Sequence, residues 1–113
     1  MPYINTIASV GINGRKQQII KERMGKAIEL IPGKSEDWLM LSFRDNVRMF
    51  FKGEEDPCAM CQVKLYGSAQ EKDYPALTAA LTDIFVEELD IPMDRIYITY
   101  ETIDTWGWNG GNL

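Results

Sequence analysis

The second residue of the chain is proline, whose α-nitrogen is a secondary amine whenever it stands at a free terminus. Once the preceding methionine is cleared, Pro2 presents an amine with a reference pKa near ~8, well below lysine and close enough to neutrality for general-base work. While Met1 remains attached, the same nitrogen belongs to a tertiary amide. Its lone pair is then delocalised into the carbonyl and it cannot act as a base. Proline at this position also has a plain reading, as a residue tolerated at the start of a strand. The rest of the sequence has to choose between the two.

The 113 residues include no histidine. That removes Ser-His and Cys-His nucleophile pairs and the imidazole base together. A zinc site would need its four ligands from Cys58, Cys61 and carboxylates, a poor set, so neither a metal nor another cofactor is expected. Any proton-transfer group must therefore be a less usual one. Cys58-x-x-Cys61 has the spacing of thiol oxidoreductases. Those pairs work at a helix N-terminus, which lowers the reactive thiol's pKa. Here the pair falls at a strand start, where residues three apart point to opposite faces, and buried structural thiols are the expectation.

Composition sets the outer bounds. A single domain over residues 1–113 is expected, large enough for a hydrophobic core and small enough to gain from oligomerisation. The net charge of −5 argues against a nucleic-acid partner, which needs clustered cations. The densest basic run, Arg15 to Lys26, reads as a solvated helix face in which Glu22 can pair with Lys26. The N-terminus has no basic region leading into an apolar run, and nowhere do about 18 apolar residues follow one another. Neither a signal peptide nor a membrane span is expected. Cytoplasmic residence is the default, which leaves export by a non-standard route open.

These residues need a scaffold, and hydrophobic period supplies one. Pro2 to Ala8 alternates apolar and polar residues and predicts a strand. Asn13 is placed to cap a helix whose stripe is Ile20, Met24, Ala27, Ile28 and Ile31. Pro32-Gly33 stops it. Trp38 to Phe43 predicts a second strand with Leu39, Leu41 and Phe43 on one face. Met49-Phe50-Phe51 has the character of a short edge strand, and Cys58 to Tyr66 predicts another strand ending at Gly67. Ser68-x-x-Glu71 can form a capping box, and Pro75 sits where a helix start tolerates it. Leu77, Ala80, Leu81, Ile84, Phe85 and Leu89 make the second helical stripe, and Arg95 to Thr102 the last strand. The tail, Trp106-Gly107-Trp108-Asn109-Gly110-Gly111, is too aromatic for a disordered end.

The halves repeat. Each runs strand, helix, Ile-Pro stop, acidic turn, strand, with Ile31-Pro32 before Asp37-Trp38 matched by Ile91-Pro92 before Asp94-Arg95. Such a duplication predicts an α+β sandwich of two pseudo-repeated βαβ units, a mixed four-stranded sheet with both helices on one face. The other face is left bare. With apolar and aromatic groups expected on both sides of the sheet, a homo-oligomer is the economical way to cover it.

Together these features resemble the macrophage migration inhibitory factor branch of the tautomerase superfamily over essentially the whole length. The resemblance rests on Met1-Pro2 opening into a strand, on Gly33-Lys34, and on Glu55-Asp56-Pro57-Cys58-Ala59-Met60-Cys61. It continues in Asp94-Arg95-Ile96-Tyr97-Ile98-Thr99-Tyr100 and Gly107-Trp108-Asn109. It implies a ring-shaped homotrimer with active sites at subunit interfaces. It further implies Pro2 as the base and Lys34 facing the substrate carboxylate or oxyanion. Tyr97 would enter from the neighbouring subunit and Trp108 would line the pocket. Tyr66 falls where the family often has isoleucine, Thr99 replaces a usual asparagine, Trp106 a usual valine, and Leu113 ends the chain near a usual phenylalanine.

The implied chemistry suits the residues. An apolar pocket and the charge of Lys34 both disfavour an ammonium, so the Pro2 amine should be largely neutral at pH 7. The same cation would stabilise a developing enolate. Trp106, Trp108, Tyr66 and Tyr97 would form a wall suited to an arylpyruvate such as phenylpyruvate. The expected activity is thus keto-enol tautomerisation of a small α-keto acid or enol. The carboxylate and arginine constellation of the hydrating and dehalogenating branch is not seen near the aligned positions. The alternative is a cytokine-like interaction protein with a protein receptor, since the resemblance implies such members too.

Overall fold

In the computed structural model, which describes every residue except Ser68, the alternation in the first seven strand residues becomes strand β1, Pro2–Ala8. Pro2, Ile4, Thr6 and Ala8 are buried beneath the helices while Tyr3, Asn5 and Ile7 face away. Helix α1, Gly14–Ala27, starts where the Asn13 side chain accepts a 2.8 Å hydrogen bond from the Lys16 amide. That bond satisfies one of the helix's orphan donors. A 3-10 turn, Ile28–Leu30, tightens its end. Strand β2, Met40–Arg44, then runs parallel to β1.

The second unit copies the first. Strand β3, Ala59–Tyr66, leads to helix α2, Tyr74–Leu89, and to strand β4, Ile96–Ile103, which pairs parallel to β3. Pro75 lies in the first turn of α2, where its missing amide hydrogen is harmless. Asp90, with φ 55, ends the helix in the left-handed conformation. The two units join by antiparallel β1–β3 pairing, giving the sheet order β2-β1-β3-β4. Ile20, Met24, Ile28 and Ile31 of the first half and Leu77, Leu81, Ile84 and Phe85 of the second form one buried cluster on the sheet. Each such side chain contributes roughly 2 kcal/mol by leaving water.

Several local expectations are corrected. Trp38 lies outside β2, in a 3-10 turn, Glu36–Trp38, because Ser35 and two acids favour a turn over an extended start. Met49-Phe50-Phe51 is not a strand. Only Phe51 makes a bridge, to Glu54, across a turn whose central residues Lys52 and Gly53 both have positive φ, 55 and 76. Arg95 belongs to a 3-10 turn ahead of β4. The capping box expected at Ser68 lies outside the described residues. At the neighbouring turn the Gln70 amide donates to Asp73 instead. Glu22 accepts from Gln18 rather than pairing with Lys26. The basic face of α1 is partly tied to α2, with Lys16 on Glu88 at 3.3 Å and Arg23 on Glu87 and Glu88 at 2.6 and 3.0 Å.

The bare sheet face is also more polar than expected. Tyr3 Oη and Ser42 Oγ lie 2.6 Å apart, Ser42 Oγ donates to Asn5 at 2.8 Å, and Asn5 donates to Gln62 at 3.1 Å. In register this row continues to Thr99. Hydrogen-bonded side chains already partnered within the sheet can meet either water or another copy at little desolvation cost.

Candidate active site

The site is assembled from loose ends of four segments. The N-terminus of β1 supplies Pro2, buried at the start of the strand. The α1 stop supplies Lys34. Pro32 presets one backbone angle, Gly33 takes φ 80, and the Lys34 amide closes the turn on the Ile31 carbonyl at 3.1 Å. Proline followed by a positive-φ glycine is the pattern of a type II turn. The end of β3 supplies Tyr66, whose carbonyl accepts from Lys34 Nζ at 2.7 Å and whose amide donates to the Met1 carbonyl at 3.0 Å. Lys34 is thereby held beside the chain terminus.

The C-terminal tail supplies the wall. Strands β5, Gly107–Trp108, and β6, Gly111–Asn112, form a hairpin. Its turn residues Asn109 and Gly110 have φ 54 and 81, the left-handed pair that a two-residue type I′ turn requires. The Leu113 amide closes it on the Trp106 carbonyl at 2.9 Å. A cleft of about 450 Å³ lies between this hairpin and the terminus, lined by Met1, Pro2, Asp37, Trp38, Trp106 and Trp108 among others. Trp38 meets Trp108 edge to face at 5.2 Å, and Tyr66 is tilted against Trp106 at 6.3 Å.

Electrostatically, the terminal amine carried by Met1 is held below its ordinary value. Burial is the largest cause, and the charge of Lys34 the next. Both penalise the ammonium form. An amine at this end of β1 therefore sits in surroundings that favour the free base.

Of the residues singled out in the sequence, Pro2, Lys34, Tyr66, Trp106 and Trp108 come together. Tyr97 and Thr99 do not. Pro2 is opposite Leu65 and Leu65 opposite Thr102, whereas Tyr97 lies level with Met60 and Ile7. Five residues of strand put Tyr97 roughly 16 Å further along the sheet from Pro2, beyond a tyrosine's reach. Its ring is mostly exposed and packs instead on Phe51. Thr99 is exposed on the open face in the row of Asn5 and Gln62.

The sequence reading did not assign the 37–40 segment to the site, and Asp37, Trp38, Leu39 and Met40 all line the cleft. Trp38 is half exposed, and its place behind Ser35-Glu36-Asp37 signals a turn rather than a strand. Cys58 and Cys61 are both free and buried. Burial pushes the Cys61 thiol up to about 12, and the neighbouring Thr6 hydroxyl, which has no other partner, offsets little of that. A thiol so raised carries almost no thiolate at neutral pH, which gives Cys61 a structural character.

The same architecture occurs elsewhere. The family described as macrophage migration inhibitory factor (MIF) matches residues 1–113. A macrophage migration inhibitory factor homolog of Brugia malayi is 28% identical over 100% of this chain and 99% of its own length. The macrophage migration inhibitory factor of Xenopus laevis is 32% identical, with 78% of each chain covered. Among solved structures, Leishmania major MIF2 superposes with a TM-score of 0.94 at 30% identity, covering 100% of this chain and 97% of the other. A homologue from Prochlorococcus marinus gives 0.88 at 32% identity, with 97% of each covered. With the family matched from end to end and the fold shared, the chain belongs to the macrophage migration inhibitory factor family of the tautomerase superfamily.

Proposed function

We propose that the chain, after removal of Met1, is a keto-enol tautomerase of phenylpyruvate type with the Pro2 amine as general base. One observation carries the reading: a chain terminus, a lysine held beside it and a tryptophan-lined cleft converge at the start of β1. Family membership supports tautomerase or cytokine-like activity in general, and the aromatic wall supports an aryl substrate in particular.

The mechanism follows from the groups. Pro2 nitrogen takes the proton from the carbon beside the ketone, and the electron pair moves to the carbonyl oxygen. Lys34 stabilises the developing oxyanion in a partly dry site, where fixed charge counts most. The proton returns to that oxygen, so atoms and charge balance and no cofactor is needed. Trp38, Trp106 and Trp108 hold the aryl ring. Because Tyr97 stands far from its own chain's Pro2, it would serve a neighbour, in a homotrimer with its sites at subunit interfaces. The partly polar open face is the surface such a ring would enclose.

The test is interconversion of enol and keto phenylpyruvate by the processed protein and by Pro2→Gly, after intact mass has confirmed the loss of Met1. Loss of a general base costs about 10²–10⁴-fold. Equal rates would remove the mechanism and leave the fold untouched. The second reading is a cytokine-like interaction protein. Phe50 and Met93, 63% and 62% exposed and outside the cleft, offer apolar surface for a receptor. Receptor binding retained by Pro2→Gly would favour it.

A further inference from the structure

We infer that Arg95 is a positioning residue which, through Phe51, fixes the ring of Tyr97 for its entry into a neighbouring cleft; this rests on the shared-site reading above. Arg95 is 8% exposed, an unusual position for a guanidinium. No carboxylate pairs with it among the described residues. Its Nε donates to the Pro57 carbonyl at 3.0 Å and its Nη1 to that of Phe51 at 3.1 Å. Its Nη2 donates to the carbonyls of Glu54 and Asp56 at 3.2 and 3.0 Å. The acids of this loop thus contribute main chain, not charge.

Such a set of bonds uses four of the five guanidinium N–H groups and fastens both ends of the 51–57 loop to one side chain. A buried cation without a counter-ion is costly, so the arrangement persists only because its donors are met. The loop closes on itself as well. Phe51 and Glu54 exchange amide-carbonyl bonds of 3.0 and 3.1 Å across Lys52-Gly53. These constraints converge on the Phe51 backbone.

The Phe51 ring then makes two contacts at once. The Arg95 guanidinium lies 5.2 Å from its centroid, within cation-π range. Tyr97, two residues beyond Arg95, meets the ring edge to face at 5.0 Å and 83°. Tyr97 is otherwise 59% exposed on the open face, where a free tyrosine would sample several rotamers. Arg95 therefore ties the loop, the loop fixes Phe51, and Phe51 limits the Tyr97 ring. Arginine is required at the base of this strut, because a lysine ammonium cannot reach four carbonyls in one plane.

The experiment uses the processed full-length protein, phenylpyruvate kinetics and a fluorine resonance from 3-fluorotyrosine at position 97. Phe51→Leu should raise KM about fivefold to tenfold, the size of one edge-to-face contact. It should leave kcat within about twofold and shift the Tyr97 resonance. Arg95→Lys should do the same. In Tyr97→Leu, the further change Phe51→Leu should add nothing, because the two act as one unit. Should Arg95→Lys fail to fold, the Phe51→Leu cycle decides alone. Independent, multiplying effects of Phe51→Leu and Tyr97→Leu overturn the strut. An unmoved KM and resonance in Phe51→Leu, with Tyr97→Leu impaired, overturn it equally. Wild-type KM in Tyr97→Leu instead overturns the shared site, and the strut's functional role with it.

Discussion

Each half of the molecule places one cation just after its helix stop, and the two have opposite fates. Lys34, behind Pro32-Gly33, is half-buried and spends its ammonium on a single carbonyl, that of Tyr66. Arg95, behind Pro92, is buried and bonded to four carbonyls. A duplicated scaffold thus carries one cation with donors to spare and one that is nearly saturated. Spare donors beside a cleft suit a ligand, whereas a satisfied fork suits architecture. On the proposed reading, the pseudo-repeat divides the work between its copies.

Exchanging the roles is the way to break that contrast. Lys34→Met should lower kcat/KM for phenylpyruvate roughly 100-fold or more, as loss of an oxyanion partner does, while the melting temperature barely moves. Arg95→Met should do the reverse to stability. It strands the loop carbonyls and should cost about 2–3 kcal/mol in denaturant unfolding. If the lysine variant unfolded and the arginine variant did not, the division of labour would be wrong.

The pH profile sharpens the same point. A base works when neutral, so an amine whose pKa is lowered keeps working to lower pH. Burial, and then Lys34, lower the terminal amine. In the processed protein the acid limb of kcat/KM should therefore lie below the ordinary amine value of about 8. Residual activity of Lys34→Met should show that limb moved to higher pH. A limb that stays in place would mean that the lysine does not govern the base.

Smaller effects follow from the supports. Gly33→Ala has open space around its new Cβ, so only the φ of 80 opposes it. A cost of about 1 kcal/mol is expected, with a KM rise as Lys34 loses its set position. Glu88 is held below the usual carboxylate range, first by its hydrogen bond from Lys16 and then by Arg23. A lowered folded-state value means a contribution present at neutral pH and lost as the pH falls through that value. Glu88→Gln should accordingly melt only roughly 1–2 °C lower at pH 7. The gap should close as the pH falls below the usual carboxylate range, which melting curves at neutral and acid pH would check.

What could be read in advance divides along physical lines. Strand β1, both helical stripes, the Asn13 cap and the duplication rest on period and local chemistry, and these are legible in a single sequence. The convergence of Pro2, Lys34, Tyr66, Trp106 and Trp108 came through the family resemblance, because nothing local announces that a helix stop and a tail will meet. Tyr97's remoteness from Pro2 is a matter of register, which is set by pairing across strands. Met49-Phe50-Phe51 misled because β-propensity counts apolar side chains and ignores what anchors the backbone. Asn109-Gly110 was a hairpin signal in plain view, hidden only by the short strands either side.

The hydrogen bond from the Tyr66 amide to the Met1 carbonyl has a consequence for maturation. On the proposed reading, that carbonyl belongs to the residue that processing discards. Its departure does two things in one cut: it turns an amide nitrogen into an amine, and it orphans a main-chain donor next to Lys34. On the proposed reading, the unprocessed chain would be a latent form whose donor and base are both released by the same hydrolysis.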